Sequence, residues 1–132
     1  MFPGDLTIDV LSAAMRGAQT RNTVLAHNLA NADTPGYRRL DVQFEGALAE
    51  AVARERSRSS LGPVTSFEDE DGGVAGFNAG VRQINTTQVR IDGSNFDADS
   101  ELAALSTNQL AYQTMVGLLD KHLGQIRTAI TG

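Results

Sequence analysis

Few side chains in this sequence could carry out chemistry, and none of them assembles into a known constellation. His27 and His122 are the two imidazoles; they lie far apart and lack the His-x3-His spacing or neighbouring cysteine of a zinc site. Both are expected on helix surfaces. Asp97-x-Asp99-x-Glu101 could offer three carboxylates to a cation, but the first turn of a helix uses such charges for capping and for its dipole. Asp69-Glu70-Asp71-Gly72 looks like part of a calcium loop. Placing Gly72 at the sixth position, however, puts Phe67 at the first ligand and Asn78 where a bidentate Glu is required. There is no Gly-x-Ser-x-Gly elbow, phosphate-binding loop or dinucleotide fingerprint. The chain has no cysteine, which removes thiol catalysis, disulfides and thiolate metal sites. No catalytic residue, cofactor or metal is expected.

The informative residues are instead those that build long helices. Leu102, Leu105, Gln109, Tyr112, Val116, Leu119, Leu123, Ile126 and Ile130 alternate steps of three and four, the spacing of one seam of a left-handed coiled coil. Near the other end Leu11, Met15, Ala18, Asn22, Leu25 and Leu29 repeat the alternation, again with a single amide. Two matched seams predict a pair of packed helices, parallel or antiparallel, since the intervening chain is long enough for either. The same stripes would also suit the core of a small helical bundle.

A first helix is predicted from about Asp5 to Ala32. Asn31 or Asp33 can cap its last carbonyls, and Pro35 lacks an N–H and pushes Thr34 out of the α region, so the helix must stop. Pro35-Gly36 then fits a tight turn in which glycine takes a positive φ. Asp41 is expected to cap a shorter second helix presenting Phe44, Leu48, Ala51, Val52 and Glu55 on one face and fraying near Ser57. The stretch from Arg54 to Ser60, the Gly62-Pro63 break and the acidic run Glu68 to Asp71 read as a linker with too little apolar surface to repay ordering entropy. Val74 to Phe77 and Val81 to Ile91 are candidate strands around Asn78-Ala79-Gly80, a β-hairpin. The last helix starts near Asp97, Asp99 or Ser100, carries Lys121, His122 and Arg127 toward its negative end, and is roughly 45 Å long. The fold is therefore read as mainly α: long N- and C-terminal helices packed as a coiled coil or bundle, a short third helix, and an irregular middle that holds at most a hairpin. Residues 1–56 and 97–132 form one domain, joined through a flexible or irregular segment at 57–96.

Two groups of words give this scaffold a family likeness. Asn28-Leu29-Ala30-Asn31 and Thr34-Pro35-Gly36-Tyr37-Arg38 resemble the N-terminal signature of bacterial flagellar axial proteins, the rod, hook and hook-associated subunits. Asp92-Gly93-Ser94-Asn95-Phe96-Asp97, Glu101-Leu102-Ala103, Asn108-Gln109-Leu110-Ala111-Tyr112-Gln113 and the closing Ile126 to Ile130 are similar to the C-terminal pattern of the smallest class, the proximal rod subunits. Together the two regions cover more than half of the chain, in the right order. Ser94 and Phe96 depart from the asparagine and smaller aliphatic residue of that pattern, and the middle segment has no match.

The resemblance implies a structural subunit of the proximal rod, in the shaft that carries torque from the membrane ring to the hook. It implies as partners copies of itself, other rod proteins, the membrane-ring protein and the adaptor at the rod base. It also implies passage through the flagellar export apparatus to a periplasmic rod. The signature turn Asn28, Asn31, Thr34, Pro35, Gly36 and Tyr37 and the two seams are then the assembly residues. A stand-alone helical adaptor or export chaperone using the same seams is the alternative, distinguished by needing one closed interface instead of contacts that propagate.

Composition is compatible with this. A net charge of −5, few aromatics and no basic patch argue against a nucleic-acid partner. The longest apolar run, Met115 to Leu119, is far short of the ~20 residues that span a bilayer. Met1-Phe2-Pro3-Gly4-Asp5 lacks a basic n-region, a continuous apolar region and a small-residue cleavage site, so a cleaved signal peptide is not expected.

Overall fold

A computed structural model describes residues 6–60, 73–85 and 97–132. The elements in chain order are α1 (Leu6–Ala30), β1 (Leu40–Val42), α2 (Glu45–Ser60), β2 (Val81–Gln83) and α3 (Ala98–Thr131). The chain is thus mainly helical, with the long helices at its two ends and a two-stranded sheet between.

α1 stops at Ala30, two residues before the predicted end, because Asn31 turns back on it: its Nδ2 donates to His27 O at 2.8 Å, competing with the next helical turn. α3 starts where Asp97 takes an extended backbone (φ −126°, ψ 108°) and its carboxylate accepts from Asp99 N at 3.2 Å. Of the three candidate caps, Asp97 is the one used. At 34 residues α3 is roughly 51 Å long. Its end is closed by Gly132 (φ +80°), whose N–H donates to Thr128 O at 3.0 Å.

Three expectations for the middle of the chain are corrected. Asp41 does not cap α2; it sits in β1 opposite Arg82, and α2 begins after Phe44, whose carbonyl accepts from Leu48 N at 2.8 Å. α2 continues beyond Ser57 to Ser60, the Ser57 hydroxyl donating back to Ala53 O at 3.0 Å within the helix. The hairpin around Asn78-Ala79-Gly80 does not form. Val74 lies in a turn closed by Phe77 N to Val74 O at 3.2 Å, and β2 instead pairs antiparallel with β1 in the register Leu40↔Gln83, Asp41↔Arg82, Val42↔Val81. Residues 86–91 of that candidate strand, Ser94, Phe96 and the Asp69 to Gly72 part of the calcium-loop candidate lie outside the described residues.

The core lies on one side of α1, where Ala13 and Val24 meet Val42, Phe44, Leu48 and Val74. The Phe44 ring lies flat against the α1 backbone at Gly17; a Cβ there would be 2.6 Å from the ring, so only glycine admits the contact. Arg21 ties the same corner. Its guanidinium donates to Val42 O at 2.7 Å and 3.1 Å, forks onto both Glu45 oxygens at 2.6 and 2.8 Å, and stands 4.7 Å over the Phe44 ring. That hydrogen-bonded guanidinium holds the Glu45 carboxyl below its usual range, against a smaller upward push from burial. An adjoining face of α1 receives α3, the most extensive packing between elements. The helices run antiparallel: Asn28 meets Glu101, Ala18 meets Asn108, and the start of α1 at Leu6 shares a cavity wall with Leu118 and His122. No helix among the described residues is long and apolar enough to cross a membrane.

Candidate functional site

The signature turn closes through its own backbone first. Thr34 N donates to Asn31 O at 3.1 Å and Tyr37 N to Thr34 O at 3.2 Å, with Gly36 at φ +72° as the Pro-Gly sequence requires. This reversal swings Tyr37 back over α1, where its ring lies 5.9 Å from His27. Thr34, Pro35 and Gly36 themselves are exposed.

What the turn builds is a buried polar clasp centred on Asn28, which is fully buried. Its Nδ2 donates to Leu40 O and to Glu101 Oε2, both at 2.9 Å. Its Oδ1 accepts from Leu40 N at 2.9 Å and from the Tyr37 hydroxyl at 2.7 Å. All four hydrogen-bonding positions of the amide are used. By exchanging both bonds with Leu40, Asn28 acts as the missing strand on the far side of β1, whose other side is taken by β2. Two pure acceptors and one backbone donor fix which end of the amide is oxygen, so Tyr37 must donate to it. His27 Nδ1, 2.9 Å from the same hydroxyl, must then be the protonated nitrogen of its ring.

Glu101 completes the clasp from the first turn of α3, 73 residues further along. Its side chain is 3% exposed; Oε1 accepts from Arg39 Nε at 2.6 Å, while Arg39 remains 26% exposed. A buried carboxylate is tolerated only with such partners, and both of its oxygens have one. Burial raises the Tyr37 pKa above its ordinary value, and the charge of Glu101 raises it further. With every polar atom of Asn28 and both oxygens of Glu101 engaged, the site ties α1, β1 and α3 together. Among the described residues no group of acidic, His or Cys side chains is placed to hold a metal ion. Asp97 and Asp99 serve the helix start, and His122 is half-buried beside Leu118 at the α1–α3 contact, not on an open surface.

The seam residues divide between contact and exposure. On α1, Leu11, Met15, Ala18, Asn22, Leu25 and Leu29 are all buried or half-buried. On α3 every second member, Leu105, Tyr112, Leu119 and Ile126, is half-buried, as is Val116. Leu102 (55% exposed), Gln109, Leu123 (46%) and Ile130 (72%) face outward. The line that packs in their place is displaced by one residue: Glu101, Asn108, Met115 and His122, themselves seven apart. Asn108, also buried, donates from Nδ2 to Ala18 O at 2.8 Å. Hydrophobic periodicity passes over this line because three of its four members are polar; their heptad spacing is the one signal that could have found it. The outcome is an α3 with two adjacent lines, one locked to α1 by hydrogen bonds and one apolar and open.

The family described as "Flagella basal body rod protein" matches residues 8–38, the stretch from α1 through the turn and Tyr37. The flagellar basal body rod protein FlgB of Bacillus subtilis is 29% identical over 100% of this chain and 97% of the relative. That of Escherichia coli is 31% identical over 91% of this chain and 92% of the relative, and that of Borrelia hermsii 26% identical over 96% of both. Near end-to-end similarity at this identity, together with a matched α1 and signature turn, places the chain in the FlgB family of flagellar basal body rod proteins.

Proposed function

We propose that this chain is a structural subunit of the flagellar proximal rod, part of the axial shaft that transmits torque from the membrane ring to the hook. Family membership supports the rod reading, and the observation that carries the mechanism is the double seam of α3. One line is fixed to α1 through Glu101 and Asn108, so the two helices move as a unit. The other, with Leu102, Leu123 and Ile130, remains for neighbouring subunits. Burying such a line is worth about 25 cal/mol per Å² of apolar surface, so assembly stabilises what the single chain leaves wet. A shaft also needs contacts that propagate, and a chain with its apolar line outside its own fold meets that need. Leu11, Met15, Ala18, Leu25, Leu29, Leu105, Tyr112, Val116, Leu119 and Ile126 then hold the subunit together, while Asn28, Asn31, Thr34, Pro35, Gly36 and Tyr37 set the exit from α1. Its partners are other rod proteins, the membrane-ring protein, the adaptor at the rod base and, during delivery, the flagellar export apparatus. It works in the periplasmic part of the basal body. No catalytic step is assigned to it. Family membership displaces the stand-alone adaptor or chaperone.

Electron microscopy of basal bodies from a strain lacking the protein tests this reading. Rings without a rod are the expected result; an intact rod would overturn it.

A further inference from the structure

Between α2 and α3, floored by α1, runs an open apolar groove of about 800 Å³ whose lining includes Val10, Ala14, Leu48, Val52 and Met115. It continues into a second cavity of about 480 Å³ toward Leu6 and Leu118, the two sharing Val10, Val52 and Arg56. Small residues, Ala14, Ala49, Ala53 and Ala111, leave room for another helix to approach closely. The charges on its rim have one sign. Glu45, the one acidic lining residue among the described residues, is held by Arg21, leaving Arg56 and Lys121 in a chain whose net charge is −5. An acidic amphipathic helix fits such a groove.

We propose that its occupant is the outward ridge of α3 from a neighbouring copy of this chain, an inference that rests on the rod reading and specifies one of its contacts. At 100° per residue Asp99, Leu102 and Leu110 lie within one arc of ~80°, on the side of α3 turned away from the face that packs on α1. Leu102 and Leu110 are 55% and 66% exposed, and Asp99 is exposed at the helix start. The lengths agree as well. Asp99 to Leu110 spans roughly 16 Å along the ridge, and Lys121 back to Ala111 spans roughly 15 Å along the groove wall. The neighbour's helix therefore runs antiparallel to the wall, with its Asp99 between Arg56 and Lys121, its Leu102 against Val52 and Leu118, and its Leu110 over Ala14 and Ala111. Ridge and groove are different surfaces of one chain, so the contact is head to tail and adds subunits without closing.

The absence of cysteine makes a clean test. Within one chain Val52 packs near Val10 and Leu102 near Asn28, roughly 27 Å apart along α1, beyond the reach of a disulfide. The Val52→Cys, Leu102→Cys double variant, incorporated into basal bodies and oxidised, should give a ladder of dimers, trimers and longer cross-linked chains, and neither single variant should. Basal bodies that contain the double variant but yield no cross-link, or dimers alone, would overturn the contact. Absence of even the wild-type chain from basal bodies would instead overturn the rod reading. A second arm uses surface charge: Arg56→Glu should abolish incorporation, and adding Asp99→Arg to the same chain should restore it. Normal incorporation of Arg56→Glu, or failure of the pair to restore it, also counts against the contact.

Discussion

The Arg39–Glu101 pair should respond asymmetrically to loss of either partner, because the two side chains are buried to different degrees. Glu101 is 3% exposed and Arg39 26%. Arg39→Met strands a buried carboxylate whose remaining hydrogen bond is from Asn28, and uncompensated buried charges cost about 3–5 kcal/mol. Glu101→Gln removes the charge but keeps the volume. It leaves Arg39, which can turn to water, and sets one amide N–H against a donor, at a cost of about 1–3 kcal/mol. Against a total stability of about 5–15 kcal/mol either loss is large, and the difference between them is measurable. Urea unfolding of the purified full-length chain, followed by helical circular dichroism, reads it directly. With an m value of about 2 kcal/mol per molar urea, the midpoint should fall by about 2 M for Arg39→Met and about 1 M for Glu101→Gln. The double variant should cost less than the sum, because each single change already breaks the Arg39–Glu101 bond that the two share. A Glu101→Gln loss equal to or above that of Arg39→Met, or simple additivity, would refute the reasoning.

Gly17→Ala forces a Cβ to within 2.6 Å of the Phe44 ring and should cost about 1–3 kcal/mol in the same unfolding assay, with partial recovery when Phe44→Leu is added. Gly36→Val meets no atom within 4 Å, so its penalty is backbone strain at φ +72°, of about 1–2 kcal/mol. Secreted protein should persist while incorporation into basal bodies falls, and Gly36→Asn should be milder on both measures. Leu119→Asp, on the half-buried line, should unfold the free chain, whereas Leu123→Asp, 46% exposed, should leave its helicity intact yet abolish swimming. Tyr37 ties its proton to the clasp. Because its folded pKa lies above the ordinary 10.0, its contribution to stability is complete below about pH 10 and is lost as pH rises through the folded value. Helicity followed from about pH 9 to pH 12 should show that step in the wild type and not in Tyr37→Phe.

What the sequence by itself determined is whatever rests on local chemistry and on period. Pro35 and Gly36 keep any helix from running through them and let glycine take a positive φ in the turn, and the structure has both. Apolar residues at alternate steps of three and four dictate two long helices, and the run of capping residues Asp97, Asp99 and Ser100 marks where the second begins, with the structure choosing Asp97. Pairing choices between distant segments are another matter, since nothing within Val81–Gln83 says that its partner is Leu40–Val42 and not the nearer Val74 to Phe77. The face of α3 that meets α1 was likewise decided by tertiary structure. Hydrophobicity alone selects the whole seam, of which Leu105, Tyr112, Val116, Leu119 and Ile126 are half-buried, yet the helix turns by about one residue so that Glu101 and Asn108 pack in place of Leu102 and Gln109. It does so because Asn28, Arg39 and the carbonyl of Ala18 are already there to satisfy them, and a buried polar group is stable only where partners supplied by remote parts of the chain converge on it.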